Sequence, residues 1–215
     1  MFNNSVIIAG GNGSRMRPLT DYIPKALVKV DGVPLINHSI NLLSGYDINI
    51  YVTYNYLSNI LFEKTNSKVK GFINTINQDN SYFLFNSFIK NLNEPIIVIP
   101  CDLKIKLDLA KVYKDYLNNN SPSIMIIGTT PVDGVDGDYI THDENNNITS
   151  LDRINRTKKY CSGVQIINPY KINQLHIDNN NFYGVWNSLI EKKDLKISNV
   201  SPDFWCSYDD IKQIK

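Results

Sequence analysis

VIIAGGNGSRMRPLTDYIPKALVK, residues 6–29, joins an apolar run to a glycine turn and two spaced basic side chains. Val6, Ile7 and Ile8 stop at Ala9 and Gly10, the pattern of a strand buried on both faces of a parallel sheet. Gly10, Gly11 and Gly13 follow at once. Without side chains the backbone can approach a ligand closely, and positive φ angles aim successive N–H groups inward, which makes an anion cradle. Arg15 lies two residues past the last glycine, where a guanidinium can fork onto phosphate oxygens, and Lys25 returns after a loop holding Pro18 and Pro24. Two cations facing one cradle point to a nucleoside triphosphate, with Ala9, Gly10, Gly11 and Gly13 as its nucleotide-binding turn. No Lys-Ser or Lys-Thr pair ends the turn, and Met16 stands where GxGxxG needs its last glycine, so neither the P-loop nor the dinucleotide fingerprint fits.

The 215 residues suffice for one sizeable α/β core, so a single domain over 1–215 is expected. Net charge is +1 with both signs interspersed, which argues against a nucleic-acid track or a membrane surface and for small-molecule partners. Self-association is left open. Cys101, Cys161 and Cys206 are widely spaced and form no CxxC, as expected of reduced thiols in a cytoplasmic protein. The opening MFNNSVII has no basic leader, and no apolar run reaches the length of a bilayer span.

Further along, strands and helices alternate as in a layered α/β sheet. Helical spacing follows Pro34 until Gly45; NIYVTY (49–54) reads as a strand, 58–65 as a helix and 71–76 as a third strand. PIIVIPCD (95–102) is a buried strand that ends in Asp102. Ligands of open α/β sheets collect beyond the carboxyl ends of strands, so Asp102 suits a Mg²⁺ ion bridging triphosphate oxygens; the alternative is a cap for a helix expected at about 106–117. SIMIIGTT (123–130), two short strands about an Asn145–Asn147 turn, YCSGVQII (160–167), a helix at about 184–192 and the strand KISNV (196–200) complete the series.

From Ile7 to Ile36, IIAGGNGSRMRPLTDYIPKALVKVDGVPLI resembles LAAGxGxRxxPLTxxxPKxLxxVxxxPLI, the signature of nucleotidyltransferases that activate sugar 1-phosphates and related phosphorylated alcohols. The resemblance implies a Rossmann-like three-layer α/β fold with a mixed, mostly parallel central sheet. It implies Arg15, Lys25 and Asp102 as catalytic residues, Asp102 as a Mg²⁺ ligand and Gln78 as the base-reading amide. At the acceptor it implies Gly137, Asp152 with Arg153 in place of a usual Glu-Lys pair, and Ser162 within a strand element that here lacks its usual asparagine. A closing W-x-D-[IV]-G-T-like segment, matched to Cys206-Ser207 at its G-T pair, would make Asp203 the second metal ligand.

Asn80, also assigned to the acceptor, and Ser81 stand where a glycine and a threonine are usual. The spacing of Asn80, Tyr82 and Leu84 is closer to the phosphocholine cytidylyltransferase branch. The expected activity is therefore Mg²⁺-dependent condensation of an NTP, preferably a pyrimidine, with a sugar 1-phosphate. The alternatives are a phosphocholine-type cytidylyltransferase, which Trp186 would serve by facing a quaternary ammonium, and a catalytically silent nucleotide-sugar sensor.

Overall fold

The structure, a computed structural model, describes residues 1–175, 177 and 181–214. Strand β1 (Asn4–Ile8) leads into the glycine turn, and a small hairpin of β2 (Lys29–Val30) and β3 (Val33–Pro34) delivers the chain to helix α1 (Leu35–Ser44). Next come β4 (Asn49–Tyr54), α2 (Ser58–Thr65), β5 (Gly71–Asn74), α3 (Tyr82–Asn86) and β6 (Ile96–Pro100). After these lie β7 (Leu103–Lys106), α4 (Leu109–Asn118), β8 (Ile124–Thr129), β9 (Tyr139–His142), β10 (Ile148–Asp152) and β11 (Tyr160–Ile167). The last elements are α5 (Pro169–Gln174), α6 (Phe182–Glu191), β12 (Leu195–Ile197) and β13 (Phe204–Ser207).

The central sheet is mixed and mostly parallel. Its spine β6-β1-β4-β5 runs parallel, and β11 joins β6 antiparallel, carrying β9 and β10 on one side while β8 and β12 branch from it. Alternation along each strand builds two cores, one per face: Ile7, Ile97 and Ile99 pack with α1 and α4, while Val6, Ile96 and Val98 pack with α3, α5 and α6. Helices therefore cover both faces, as the uninterrupted apolar strands require. A third, small cluster of Met16, Val28, Val30 and Leu35 lies under the glycine turn, with Tyr208 and Ile214 packed against it.

The topology locates the site. The chain runs from β1 outward to β4 and β5, then returns to place β6 on the other side of β1, so the strand order reverses between β1 and β6. The crevice at the carboxyl ends of those two strands is where such sheets bind ligands.

The β7–β13 ribbon, the start of α4 and helix α5 depart from the sequence reading. Leu103–Lys106 is a strand paired with β13, with Phe204 opposite Lys106 and Ser207 opposite Leu103. The following helix starts only at Leu109, because Asp108 caps it by accepting from the Lys111 N–H at 3.0 Å. Asp102 is therefore not that helix's cap. Helix α5 opens on Asn168-Pro169, an N-cap followed by a proline at the first helical position. Among the described residues no helix is long and apolar enough to cross a membrane.

Candidate active site

A cleft of about 520 Å³ opens at this crevice, within the usual size of a small-ligand site. On one wall is the glycine turn. Gly13 has φ 61°, and a Cβ there would stand 3.0 Å from side-chain carbons of both Lys25 and Thr20, so conformation and space both demand glycine. Thr20 Oγ1 donates to the Gly13 carbonyl at 2.8 Å and ties the returning loop to the turn. Gly11 lines the cleft. Ala9 does not offer its N–H there, since that group donates to Thr53 Oγ1 at 2.9 Å.

Lys25 is the electrostatic centre. Its side chain is only 12% exposed, and Nζ donates to Asp102 at 2.5 Å and to Asp209 at 2.6 Å. Burial works to lower the Lys25 pKa, but Asp102 and then Asp209 outweigh it, so the ammonium is held charged above its ordinary value. Burial pushes the Asp102 carboxyl up, Asp209 adds to this, and Lys25 offsets only part. Asp209 is also opposed by burial, yet Lys25 and Arg15 hold it below the usual carboxylate range. Arg15, 57% exposed, reaches Asp209 at 3.2 Å and Asp136 at 3.8 Å. Three of the expected residues, Arg15, Lys25 and Asp102, are thus brought together.

Asp203 is not with them. It lies at the far end of the β7–β13 ribbon, where its N–H donates to the Lys106 carbonyl and its exposed carboxylate pairs with Lys106 at 3.4 Å. Asp102 instead faces Tyr208, whose N–H donates to the Asp102 carbonyl at 3.0 Å. Five strand positions separate 203 from 208, about 16 Å at a strand's rise per residue. The second carboxylate of the site is Asp209, also braced by Ser207 Oγ at 3.1 Å.

On the opposite wall, Asp138 is 8% exposed and accepts from Tyr183 Oη at 2.9 Å and Arg153 Nε at 3.4 Å. Gly137 is there because a Cβ would meet the Tyr160 ring at 2.6 Å. That ring is fixed by its hydroxyl donating to the Val135 carbonyl at 2.6 Å. Ser162 lines the cleft nearby, with its carbonyl accepting from Trp205 Nε1 at 2.9 Å. Trp186 donates from Nε1 to Gln165 at 2.9 Å, stacks on Phe182 and meets Tyr183 edge-on.

Asp152 takes no part in this wall. Its carboxylate accepts from the N–H groups of Asn155 and Ile154 in a local turn, which hold its pKa down to about 2. Arg153's acidic partner in the cleft is Asp138. Cys101 and Cys161 also line the cleft, but burial pushes both thiols up to about 12, so neither supplies a thiolate nucleophile at neutral pH.

Gln78 is likewise elsewhere. It is exposed and borders a separate cavity beside the edge strand β5, with Phe72, Tyr82 and Phe88, while Asp79 and Asn80 turn into the main cleft. Gln78→Ala is expected to leave the ratio of kcat/KM between pyrimidine and purine triphosphates within about twofold, the range of an ordinary surface change. A collapse of that ratio would restore Gln78 as the base reader.

The site thus joins a glycine turn and two cations to a carboxylate pair, opposite a partly aromatic pocket, at the switch point of a three-layer sheet. The family model described as "Nucleotidyl transferase" matches residues 4–152, and the chain belongs to that family. It is 30% identical over 151 residues to the bifunctional protein GlmU of Methanococcus aeolicus, an alignment covering 69% of this chain and 35% of that protein. It is 44% identical over 54 residues to the choline-phosphate cytidylyltransferase of Streptococcus pneumoniae, covering 25% of this chain and 24% of the relative. The fold is that of the inositol-1-phosphate CTP transferase from T. maritima, with a TM-score of 0.80 at 17% identity over 100% of this chain and 92% of the other. It is also that of the CTP:phosphocholine cytidylyltransferase of S. pneumoniae, with a TM-score of 0.72 at 22% identity over 98% and 96% of the two chains.

Proposed function

We propose that the chain is a Mg²⁺-dependent nucleotidyltransferase that condenses a pyrimidine NTP with a phosphorylated small alcohol and releases pyrophosphate. The observation that carries the reading is Lys25, held between Asp102 and Asp209 where the phosphate cradle meets the opposite pocket.

The carboxylates fit the ion. Asp102 and Asp209 direct one oxygen each at the same Nζ, so they converge on one point with hard donors suited to Mg²⁺. Among the described residues no third acidic, cysteine or histidine side chain joins them. Mg²⁺ commonly takes one or two carboxylates and fills its shell with water and substrate phosphates. When bound there, it neutralises phosphate charge as the reaction proceeds.

The chain's own residues do the remainder. The turn at Gly11 and Arg15 hold the β- and γ-phosphates, and Lys25, freed from part of its ion pairing, lies between the reacting phosphates. Arg153 and Asp138 orient the acceptor, whose phosphate oxygen attacks the α-phosphorus in line. The bond from that phosphorus to the β-phosphate oxygen breaks, and pyrophosphate leaves with its electron pair. No covalent enzyme intermediate forms.

Asn80, expected at the acceptor, instead comes from the loop after β5, on the side of β1 opposite the acceptor wall, and its amide offers a donor and an acceptor to a pyrimidine edge. The names of several relatives, which include cytidylyl- and uridylyltransferases, support a pyrimidine.

For the acceptor, a sugar 1-phosphate and a cationic alcohol phosphate such as phosphocholine both suit the chemistry. The grouping of Phe182, Tyr183 and Trp186 beside buried Asp138 favours the cation, which aromatic faces and a carboxylate hold together. CTP, UTP, dTTP, ATP and GTP, each paired with sugar 1-phosphates and with phosphocholine and scored by pyrophosphate release, test this. Release with CTP and phosphocholine at least about tenfold faster than with any sugar 1-phosphate is expected. Faster release with a sugar 1-phosphate would reverse the acceptor assignment, and nucleotide binding without release from any pair would make the protein a sensor.

A further inference from the structure

Gln213 lies outside the cleft, yet its side chain touches the parts that build it. Its Oε1 accepts from the backbone N–H of Asp209 at 2.6 Å and of Asp210 at 2.8 Å, while Asp210 Oδ1 accepts from the Lys212 N–H at 2.9 Å. The two side chains close a reciprocal cap. The same Gln213 amide donates from Nε2 to the Gly134 carbonyl at 3.4 Å, in the loop that carries Asp136, Gly137 and Asp138 to the cleft. On either side of it, Tyr208 and Ile214 pack onto the Met16–Val28 cluster under the phosphate turn.

We propose that Gln213 is a positioning residue for nucleotidyl transfer: it fixes the backbone of Asp209 so that the carboxylate meets Lys25, and it ties the acceptor loop to the phosphate side. Two parallel acceptances at one side-chain oxygen leave the Asp209 peptide little freedom to rotate. A small rotation there swings the carboxylate off the point it shares with Asp102. Groups that orient a metal-binding side chain typically cost one to two orders of magnitude in metal affinity when lost. The contact with Gly134 acts on the other substrate, through the loop that places Gly137 and Asp138.

The inference rests on Asp209 as a ligand of the cation, so the test separates the two. Mn²⁺ binding to the nucleotide-free protein, followed by electron paramagnetic resonance, reads the carboxylate pair without turnover. Gln213→Ala is expected to weaken Mn²⁺ binding about tenfold and to lower kcat by a similar factor, with NTP KM nearly unchanged. Gln213→Glu keeps an oxygen acceptor for both N–H groups but loses the donor to Gly134. It is expected to bind Mn²⁺ at least as tightly as the natural protein while acceptor KM rises. If Gln213→Ala binds Mn²⁺ normally while Asp209→Asn does not, Gln213 is a local cap and the inference falls. If Asp209→Asn also binds Mn²⁺ normally, the assignment of Asp209 falls first and takes the inference with it.

Discussion

Lys25→Ala is expected to lower turnover by about 10²- to 10³-fold, the scale on which a single preorganised charge acts in a dehydrated site. The ammonium is nearly enclosed, and no other described lysine borders the cleft. Its loss also leaves Asp102 and Asp209 facing each other without the counter-charge between them. That raises the folded-state pKa of the carboxylate pair above its unfolded value, so the folded form binds more protons. Stability of the variant then falls as pH rises through the carboxylate range and recovers on acidification. In the natural protein the Lys25 effect has the same sign in a higher window: its pKa is raised, so its contribution is complete at neutral pH and lost only as pH climbs past the ordinary lysine value. Melting temperatures from about pH 4 to about pH 12, measured beside pyrophosphate release, check both effects. Lys25→Arg should recover stability but little turnover, since a guanidinium fork does not replace a compact ammonium between two phosphates. Near-normal turnover in a folded Lys25→Ala protein would remove Lys25 from the proposed mechanism.

Asp209→Asn and Asp203→Asn should part sharply. The first deletes a charge that touches Lys25 and Arg15, and turnover is expected to fall by about 10²-fold or more with weaker Mg²⁺ dependence. The second alters an exposed partner of Lys106 and should leave activity within about twofold. Rates measured across a Mg²⁺ titration distinguish them, and equal losses in the two variants would place the cation elsewhere than on the Asp102–Asp209 pair.

The contrast between these aspartates shows where sequence reasoning stopped. The signature from Ile7 to Ile36 is local: strand, turn, Arg15 and Lys25 lie within one segment, and residue spacing reports their meeting directly. Asp102 was legible because an apolar strand ends beside it. Asp209 was not, because it reaches Lys25 only through the pairing of β13 with β7, which joins two short strands remote in sequence. A local signal did exist. Leu103 to Lys106 alternate apolar and basic residues as a half-buried strand does, and Asp210-Ile211-Lys212-Gln213 has the spacing of a capping box. Together they would have shifted attention from Asp203 to the residues just before the cap.

Asp152 and Gln78 illustrate a different limit. Each occupies the family position by spacing, but direction is set by the backbone. Asp152 turns into an Asx turn closed by the Ile154 N–H, with Asn155 donating beside it, and Gln78 follows the end of β5 toward the outer edge of the sheet. Asp138 and the aromatic residues of α6 were harder to find, since their meeting depends on how α6 packs against β10 and β12. Much of the layered architecture, by contrast, was readable from apolar runs and their punctuation alone.

The β7–β13 ribbon has a consequence for the order of assembly. It closes a loop of about 100 residues, and such a closure is entropically dearer than the short crossovers that build β1, β4 and β5. During synthesis the phosphate turn and Asp102 emerge well before Asp209, so the nascent sheet carries Lys25 with half of its carboxylate partners. The proposed site is therefore complete only once β13 docks on β7 and brings Asp209 to Lys25.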